Sequence, residues 1–457
     1  MESHYDHVII GAGPAGMACA ISLKKRGADC CVIDRAVFPR KKTCGGLVTK
    51  KTYGLIRELL AKSSEITTAS SLSPDNSSVT AEAAASSGID EDMPDLFSGK
   101  TNRVALYARS EVLVQTEVEE PMRFVDRLIF DHALVEQYRA LGGTLYEGER
   151  NYSIEKDQKQ IRLSDGDRIS FRYLIFADGA QSSAYKLCGI RPKELAFGIE
   201  TFLPVLPKNS REIAKAVTSG TDSRGMDFGG TGSNDTDLRG TDFNGTEPNG
   251  TESEGSESAC GSLRGIDEIR LVFGYESKGY VWVFPYDKSL CVGAENVYQK
   301  GADHRKALFS FLKDSGTAPD TQKYSGAFFP CGYLFPQSKL PENMMLIGDA
   351  AGFADPISGE GLYFALHSGM LAARALLSEA TPKQCYLQSI RPIEQIIKSG
   401  RRLRIFFYLP GTQKYFARHV AGNQNFIRYF FSHMVAEYDY SYSQILRLYR
   451  DYKRSKR

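Results

Sequence analysis

The sequence predicts an α/β protein with a Rossmann-type domain, a second domain built on a mainly antiparallel β-sheet, and C-terminal helices. An apolar run near the start ends at three glycines spaced as Gly11, Gly13 and Gly16, and a helix-forming stretch follows at once. This is the order of a buried strand, a tight turn and a helix. A second strand, residues 29–33, ends in Asp34, the usual ~20 residues beyond the glycines.

The glycine spacing has a physical reason in dinucleotide binding. The first glycine permits the turn, the second lets the backbone approach a pyrophosphate, and the third lets helix and strand pack closely. The helix N-terminus at Pro14 and Ala15 is predicted to face the phosphate charge. Asp34, with Arg35 beside it, lies where an adenosine ribose is bound. An ordinary glycine turn in an α/β sheet is the alternative, but strand, glycines, helix and acid all occur in order.

Length and composition limit the function classes. A chain of 457 residues is expected to form two or three domains, and a net charge of +2 gives no argument for nucleic acid as a partner. The nine cysteines lack Cys-x-x-Cys spacing, and their odd number with no signal peptide favours a reduced, cytoplasmic compartment. No cysteine–histidine cluster indicates a metal site. No apolar run approaches the ~20 residues that span a bilayer, which leaves peripheral contact with a membrane surface open.

Two segments have the composition of insertions. The first, 67–100, is rich in Ser, Ala and Thr. The second, 209–267, repeats Gly-Thr every ten residues from Gly220 onward, and its polar composition cannot bury enough apolar surface to order itself. Calcium-binding solenoid repeats are an alternative, but the apolar position of such repeats is missing. We expect a flexible loop that joins two antiparallel strands, residues 197–205 and 268–275.

The rest of the chain alternates between helical and strand patterns. Helices are predicted at 130–141 and 361–377, strands at 144–146, 173–176, 281–285, 289–293 and 344–347, and a hairpin at 160–171.

Two later motifs also follow predicted strands. Asp178-Gly179 ends one strand, and alone it would be a common turn. Gly348-Asp349 ends another and opens a glycine-rich bend. That bend continues through Pro356, Gly359 and Gly361 into a helix. An acid there can bind a ribityl hydroxyl, and a helix N-terminus supplies partial positive charge to the pyrimidine edge of a reduced flavin. A nicotinamide-binding domain has no need of this late element, so the combination predicts FAD.

At these residues the chain resembles the FAD-dependent oxidoreductases with the p-hydroxybenzoate hydroxylase-like fold. Two motifs make the resemblance closer to the geranylgeranyl reductase family: Lys-x-Cys-Gly-Gly at residues 42–46, and Tyr-x-Trp-x-Phe-Pro at residues 280–285. Two positions depart from the family pattern. Glu295 replaces the second glycine of a Gly-x-Gly element, and Gln181 stands where an arginine is common.

The resemblance implies which residues bind FAD. They are Gly11, Gly13, Pro14, Ala15, Gly16, Asp34, Arg35, Arg40, Cys44, Gly45, Gly46, Arg127, Asp178, Gly179, Gly348, Asp349, Pro356, Gly359 and Gly361. Arg40 is expected either to neutralise the pyrophosphate or to belong to a solvated basic run. Arg127 is expected either to contact FAD or to form a salt bridge at the start of its helix.

The resemblance also implies a domain plan. Residues 1–66, 123–190 and 336–380 are predicted to form the FAD-binding domain, 101–122 and 191–335 the substrate domain, and 381–457 a C-terminal helical region.

The reaction implied by the resemblance is reduction of carbon–carbon double bonds in a prenyl lipid by hydride transfer from reduced flavin. Cys44 is placed near the flavin, where its thiol can hold substrate or donate a proton, or where it is simply a small packed residue. Tyr280 and Trp282 share one strand face and either line a tunnel for the prenyl chain or belong to the core. No second glycine fingerprint occurs, so the external reductant is expected to be transiently bound NAD(P)H, or ferredoxin or another carrier.

Three alternatives stay open from the sequence. A flavin monooxygenase or halogenase has the same fold, although halogenases use Trp-x-Trp-x-Ile-Pro, where Tyr280 and Phe284 stand here. A flavin-binding protein without turnover is the second. The third concerns the basic, aromatic C-terminal region, which either meets anionic lipid headgroups or caps the FAD-binding domain, and we favour the cap.

Overall fold

The computed structural model describes residues 2–61, 93–190, 194–205, 263 and 265–408, and isolated residues between 424 and 454. Most of the predicted insertion at 67–100 and nearly all of the one at 209–267 therefore lie outside the described residues. The end of the first range is described, and there Leu96 is buried against the core of the first sheet.

Fifteen strands are described. In chain order they are β1 (Glu2–Ile10), β2 (Cys30–Ile33), β3 (Leu47–Val48), β4 (Lys100–Ala108), β5 (Glu111–Phe124), β6 (Thr144–Tyr146), β7 (Ser153–Glu155), β8 (Gln160–Arg162), β9 (Arg168–Phe176), β10 (Leu195–Pro204), β11 (Ile269–Phe273), β12 (Gly279–Pro285), β13 (Ser289–Val297), β14 (Ser325–Pro330) and β15 (Met344–Leu346).

The described helices fall between and after these strands. They are α1 (Pro14–Lys24), α2 (Lys50–Leu60), α3 (Arg127–Ala140), α4 (Ser183–Leu187), α5 (Lys306–Asp314), α6 (Gly348–Ala351), α7 (Leu362–Leu376), α8 (Pro382–Ser389) and α9 (Arg391–Tyr408).

The first sheet has seven strands and holds the glycine turn at the end of β1. Its strand order is β6-β2-β1-β9-β8-β7, and β15 also pairs with β9. The pairings of β1 with β2 and β9, of β2 with β6, and of β15 with β9 are parallel. The hairpin predicted at 160–171 and the buried strand predicted at 173–176 share one continuous strand, β9. The predicted Rossmann-type domain is confirmed.

Helices α1 and α7 bring two distant motifs together beside this sheet. A Cβ atom on Gly369 of α7 would lie 2.3 Å from the carbonyl oxygen of Ala15 in α1. Only glycine permits so close an approach, because a side chain there would collide with backbone. The middle of α7 is therefore fixed against the start of α1.

The second sheet has eight strands in the order β14-β10-β13-β12-β11-β4-β5-β3. Every pairing is antiparallel except that of β11 with β4, which confirms the predicted mainly antiparallel sheet. The two strands expected to flank the long insertion are β10 and β11. They run in opposite directions, but β13 and β12 lie between them, so they are not neighbours.

Described residues of the C-terminal region contact both sheets. Ile427 and Phe431 are buried in the cluster that contains Trp282, on the second sheet. Tyr442 is buried with the core of the first sheet, and its hydroxyl donates to the carboxylate of Asp355 at 2.7 Å. These described residues therefore cover parts of both sheets.

Two kinds of feature are absent from the described residues. None of the described helices is long and apolar enough to cross a membrane. No cluster of His, Cys, Asp and Glu in the described part of the chain is arranged to hold a metal ion.

Candidate FAD and substrate site

The glycine turn is held by the fold at two of its three positions. Gly11 has φ +106°, and a Cβ there would lie 2.4 Å from the carbonyl oxygen of Ala177. A Cβ on Gly16 would lie 1.8 Å from the carbonyl oxygen of Gly11. A Cβ on Gly13 would meet only Arg40 Nη2, at 3.7 Å. The protein itself therefore has room for a side chain at Gly13, and a bound group explains that glycine better than packing does.

Helix α1 begins directly at this open position. Gly13 is its N-cap residue, with φ −74° and ψ 179°, and Pro14 occupies the first turn. Ala15 and Gly16 are buried just behind it. The first N–H groups of a helix have no carbonyl partner within the helix and carry partial positive charge, which suits an anionic ligand.

Asp34 links the end of β2 to the glycine turn. Its Oδ2 accepts from the backbone N–H of Ala12 at 2.6 Å, and its Oδ1 accepts from Ala36 N–H at 2.8 Å. A carboxylate can accept about four hydrogen bonds, so it can still bind a ribose hydroxyl. Arg35 lies next to it with its side chain exposed.

Two arginines share one buried carboxylate close to the turn. Arg127 makes two hydrogen bonds to Asp131, at 2.6 and 2.8 Å, and Arg40 Nη2 lies 3.1 Å from Asp131 Oδ2. Arg40 Nη1 is buried and has no hydrogen-bond partner among the described residues. Two guanidinium groups against one carboxylate leave an excess positive charge. Arg40 is therefore not part of a solvated run, and its free N–H groups suit a pyrophosphate.

The alternative for Arg127 is also present in the structure. It is the first residue of α3 and forms the expected i, i+4 ion pair with Asp131. The helix cap itself is Asp126, whose Oδ1 accepts from Leu128 N–H at 2.8 Å. Burial lowers the pKa of Arg127, but Asp131 and then Cys44 outweigh that and raise it. Arg127 is therefore close enough to Cys44 for the two side chains to interact electrostatically.

Asp178 has one satisfied and one unsatisfied carboxylate oxygen. Its Oδ2 accepts from the backbone N–H and the hydroxyl of Ser183, both at 2.7 Å. Its Oδ1 is buried and has no hydrogen-bond partner among the described residues. Burial raises the pKa of Asp178, and the hydrogen bonds from serine oppose that shift. Gly179 follows with φ +84° and open space where a Cβ would stand.

The late glycine-rich bend packs against the start of α1. A Cβ on Gly348 would lie 2.7 Å from Ala15 Cβ, and one on Gly361 would lie 3.6 Å from Asp349 Oδ1. Burial raises the pKa of Asp349, and Lys42 and Arg127 oppose that shift. The acid of this bend is thus close to the segment that precedes Cys44.

The far end of the bend meets the second sheet. Gly359 has φ +68°, and a Cβ there would lie 2.4 Å from Glu295 Oε2. The hydroxyl of Tyr280 on β12 donates to the carbonyl oxygen of Ser358 at 2.6 Å. Pro356 lies under α9, where a Cβ on Gly400 would be 2.9 Å from its Cγ.

The loop at Cys44, Gly45 and Gly46 packs on the same strand, β12, and on the residue just after it. A Cβ on Gly45 would lie 2.6 Å from Phe284 Cε2 and 3.2 Å from Trp282 Nε1. Gly46 has φ +67°, and a Cβ there would lie 2.2 Å from the hydroxyl of Tyr286. The two motifs that are separated by more than two hundred residues in the sequence are therefore in direct contact.

The sequence also matches proteins of known family. The family model described as an FAD binding domain matches residues 4–231. The chain belongs to this FAD-binding family. Its members are FAD-dependent oxidoreductases, and the open glycine turn, the unpartnered Arg40 Nη1 and the unpartnered Asp178 Oδ1 all fit that cofactor.

Individual relatives are distant. The menaquinone reductase of Mycobacterium tuberculosis is 24% identical over 396 residues, which cover 82% of this chain and 77% of that protein. A geranylgeranyl bacteriochlorophyll reductase-like protein from Thermoplasma acidophilum has a similar structure, with a TM-score of 0.63, 14% identity and 99% and 100% of the two chains covered. The halogenase PltM in complex with phloroglucinol and FAD gives a TM-score of 0.59, 17% identity and coverage of 88% and 76%. These structures share the fold.

Sequence reasoning missed several ionisable residues of the site. Glu200 on β10 and Glu295 on β13 are buried carboxyls whose pKa values burial raises to about 7 and about 8. Lys51 on α2 is buried and lies 2.8 Å from Glu360 Oε2 in the late bend. The only signal in the sequence was at Glu295, which stands where the family has glycine. No pattern in the sequence pointed to Glu200, which lies within an apolar strand, or to Lys51, which is one lysine of a Lys-Lys pair.

Proposed function

We propose that this protein is an FAD-dependent reductase of carbon–carbon double bonds in a prenyl or similar lipid-like substrate. The observation that carries the proposal is the contact between the Cys44 loop and strand β12. Gly45 lies directly against Phe284 and Trp282, so the cysteine and the aromatic strand face belong to one site. Tyr280 joins the other end of that face to the late bend.

The chain supplies an apolar surface suited to a prenyl substrate. Tyr280, Trp282 and Phe284 form one buried cluster with Ile427 and Phe431 of the C-terminal region. An isoprenoid chain lying along this face would be held by burial of apolar surface alone, which is non-directional and tolerant of chain length. The proposed entry is between the strand face and the C-terminal residues that cover it.

Reduction of an alkene requires one hydride and one proton. FAD, when bound and reduced, supplies the hydride. The proton is assigned to the thiol of Cys44, which belongs to the loop that packs on β12. Arg127, close to that thiol, stabilises the thiolate that remains after the proton leaves. A proton from water then restores the thiol.

The electron donor and the place of action complete the proposal. Two electrons are expected from NAD(P)H, bound only transiently, or from a carrier protein such as ferredoxin. A lipid-like substrate is expected to be reached from the cytoplasmic side at a membrane surface. The relative from M. tuberculosis is a menaquinone reductase, which supports a reduction as the reaction of this chain.

The test is anaerobic reoxidation of the reduced protein by lipids that carry geranylgeranyl chains. We expect the flavin absorbance to return and mass spectrometry to find two added hydrogens for each reduced bond. In Cys44→Ser we expect FAD content to be retained and the rate to fall about 100-fold, the lower end for loss of a positioned acid. Cys188→Ser, at another partly exposed free cysteine, is the matched control and should keep the wild-type rate.

Other outcomes would support the rival activities. Product that contains oxygen or chlorine, formed only with molecular oxygen present, would identify a monooxygenase or a halogenase. Stoichiometric FAD without reoxidation by any prenyl acceptor would identify a non-catalytic flavin protein. An unchanged rate in Cys44→Ser would show that this cysteine is only a small packed residue.

A further inference from the structure

A buried carboxyl of the second sheet reaches the Cys44 loop. Glu200 on β10 is 3% exposed, and its Oε1 accepts from the backbone N–H of Cys44 at 3.0 Å. The hydroxyl of Ser325, an exposed residue, donates to the same oxygen at 3.5 Å. Oε2 lies 3.7 Å from the thiol of Cys291, which is fully buried. Glu200 thus joins the solvent side of the second sheet to the backbone of the cysteine loop.

Cys44 is held between two groups of opposite character. Arg127, close to its thiol, is a permanent cation that is already paired with Asp131. Glu200, bonded to its backbone, forms no ion pair with any lysine, arginine or histidine in the described part of the chain. A carboxyl in that situation can gain or lose a proton without breaking a salt bridge.

We propose that Glu200 is a positioning residue for Cys44: it anchors the loop through the Cys44 N–H and, by gaining or losing one proton, changes how readily the neighbouring thiol ionises. The inference rests on the proposed function only in treating Cys44 as part of the substrate site. Its test uses no prenyl substrate, so the two can fail separately.

The direction of the effect follows from charge. When Glu200 is ionised, its negative charge opposes formation of a second negative charge on Cys44, and the thiol holds its proton more tightly. When Glu200 is neutral, that opposition is absent. Burial raises the pKa of Glu200 to about 7, while the Cys44 N–H, the Cys291 thiol, Arg127 and Ser325 oppose the shift. The change therefore falls near neutral pH.

The experiment is alkylation of Cys44 by iodoacetamide in the FAD-bound protein, followed by peptide mass spectrometry across pH 7. In the wild type, we expect the logarithm of the rate to rise less steeply through this region than it does on either side. In Glu200→Gln, which keeps an oxygen to accept the Cys44 N–H, we expect a single uniform rise. Above pH 7 the variant should react severalfold faster, because the amide of Glu200→Gln carries no charge there, and below pH 7 the two rates should agree.

The matched control is Glu295→Gln. Glu295 is also buried, lies on the neighbouring strand β13 and also has a raised pKa, but it contacts Gly359 rather than the Cys44 loop. Its alkylation profile should follow the wild type. A wild-type profile with one uniform slope would overturn the proposal without any variant. So would superimposable profiles for wild type and Glu200→Gln, or an equal change in Glu295→Gln.

Discussion

The open position at Gly13 gives the sharpest test of the cofactor site. A Cβ there would meet only Arg40 Nη2, at 3.7 Å, which is an ordinary contact, and the backbone angles of −74° and 179° suit any residue. Gly→Ala at a compatible position stabilises by ~0.4–1 kcal/mol through the unfolded state, and loss of a glycine N-cap opposes this by a similar amount. We expect the apo-protein of Gly13→Ala to unfold within ~1 kcal/mol of wild type.

Binding of FAD should respond very differently. The added methyl occupies the space through which the pyrophosphate approaches the start of α1, and overpacking of this kind costs ~1–3 kcal/mol. Since ~1.4 kcal/mol is tenfold in affinity, the dissociation constant should rise about 5- to 150-fold. Gly13→Val, with a larger side chain, should lose the yellow colour altogether.

The measurement is calorimetric titration of the apo-protein with FAD, together with chemical unfolding of the apo-protein. Gly16→Ala is the contrasting variant, because its Cβ would lie 1.8 Å from the carbonyl oxygen of Gly11 and must disrupt the fold itself. It should lose stability and FAD binding together. Wild-type affinity in Gly13→Ala would refute the assignment of this turn to the cofactor. A loss of apo-protein stability equal to that of Gly16→Ala would refute the claim that the position is open.

Four further outcomes are expected. Lys51→Met should lower the free energy of unfolding by ~3–5 kcal/mol, because it leaves the buried Oε2 of Glu360 without its partner at 2.8 Å. Adding Glu360→Gln should recover part of the loss, and equal stability of the single and the double variant would contradict this. Asp349→Ala should abolish FAD binding, as measured by the flavin absorbance of the purified protein. A full FAD content would contradict the assignment of Asp349 to the ribityl chain. Deletion of 220–255 should leave the melting temperature and FAD content unchanged, whereas a large drop in either would count against a dispensable loop. The free energy of unfolding of the wild type, compared with that of Glu295→Gln, should be greatest below the ordinary pKa of glutamate. This advantage should be lost as the pH rises through about 8, because the folded wild type holds a proton on Glu295 that the unfolded chain has released. Parallel curves of stability against pH for the two proteins would disprove this.

The glycine turn could be predicted because its determinants are adjacent in the sequence. Strand, turn and helix follow one another without a break, and Gly11 meets a local requirement, its positive φ. The role of Arg40 could not be decided in the same way. Its neighbours are basic, which suggests solvent, whereas the fold buries it against Asp131, a residue far along the chain.

Glu200 could not be found from the sequence for a related reason. Strand alternation tells which residues share a face, but it does not tell which loop of another domain covers that face. The partner of Glu200 is the backbone N–H of Cys44, 156 positions away, and any residue type would offer that N–H. The strand order of the second sheet also could not be predicted, because β10 and β11 are separated by β13 and β12, which occur later in the chain.

Strand β12 links the Cys44 loop to the late bend. Tyr280 at one end bonds the late bend, and Phe284 near the other end contacts the Cys44 loop. At ~3.3–3.4 Å per residue, these two contact points lie roughly 13 Å apart along the strand. Because β12 is an interior strand, bonded to β11 and β13 on its two sides, it cannot slide without breaking both ladders. The strand therefore acts as a spacer between the cysteine loop and the bend, and the proposed proton donor and the cofactor can act together only when their separation is fixed.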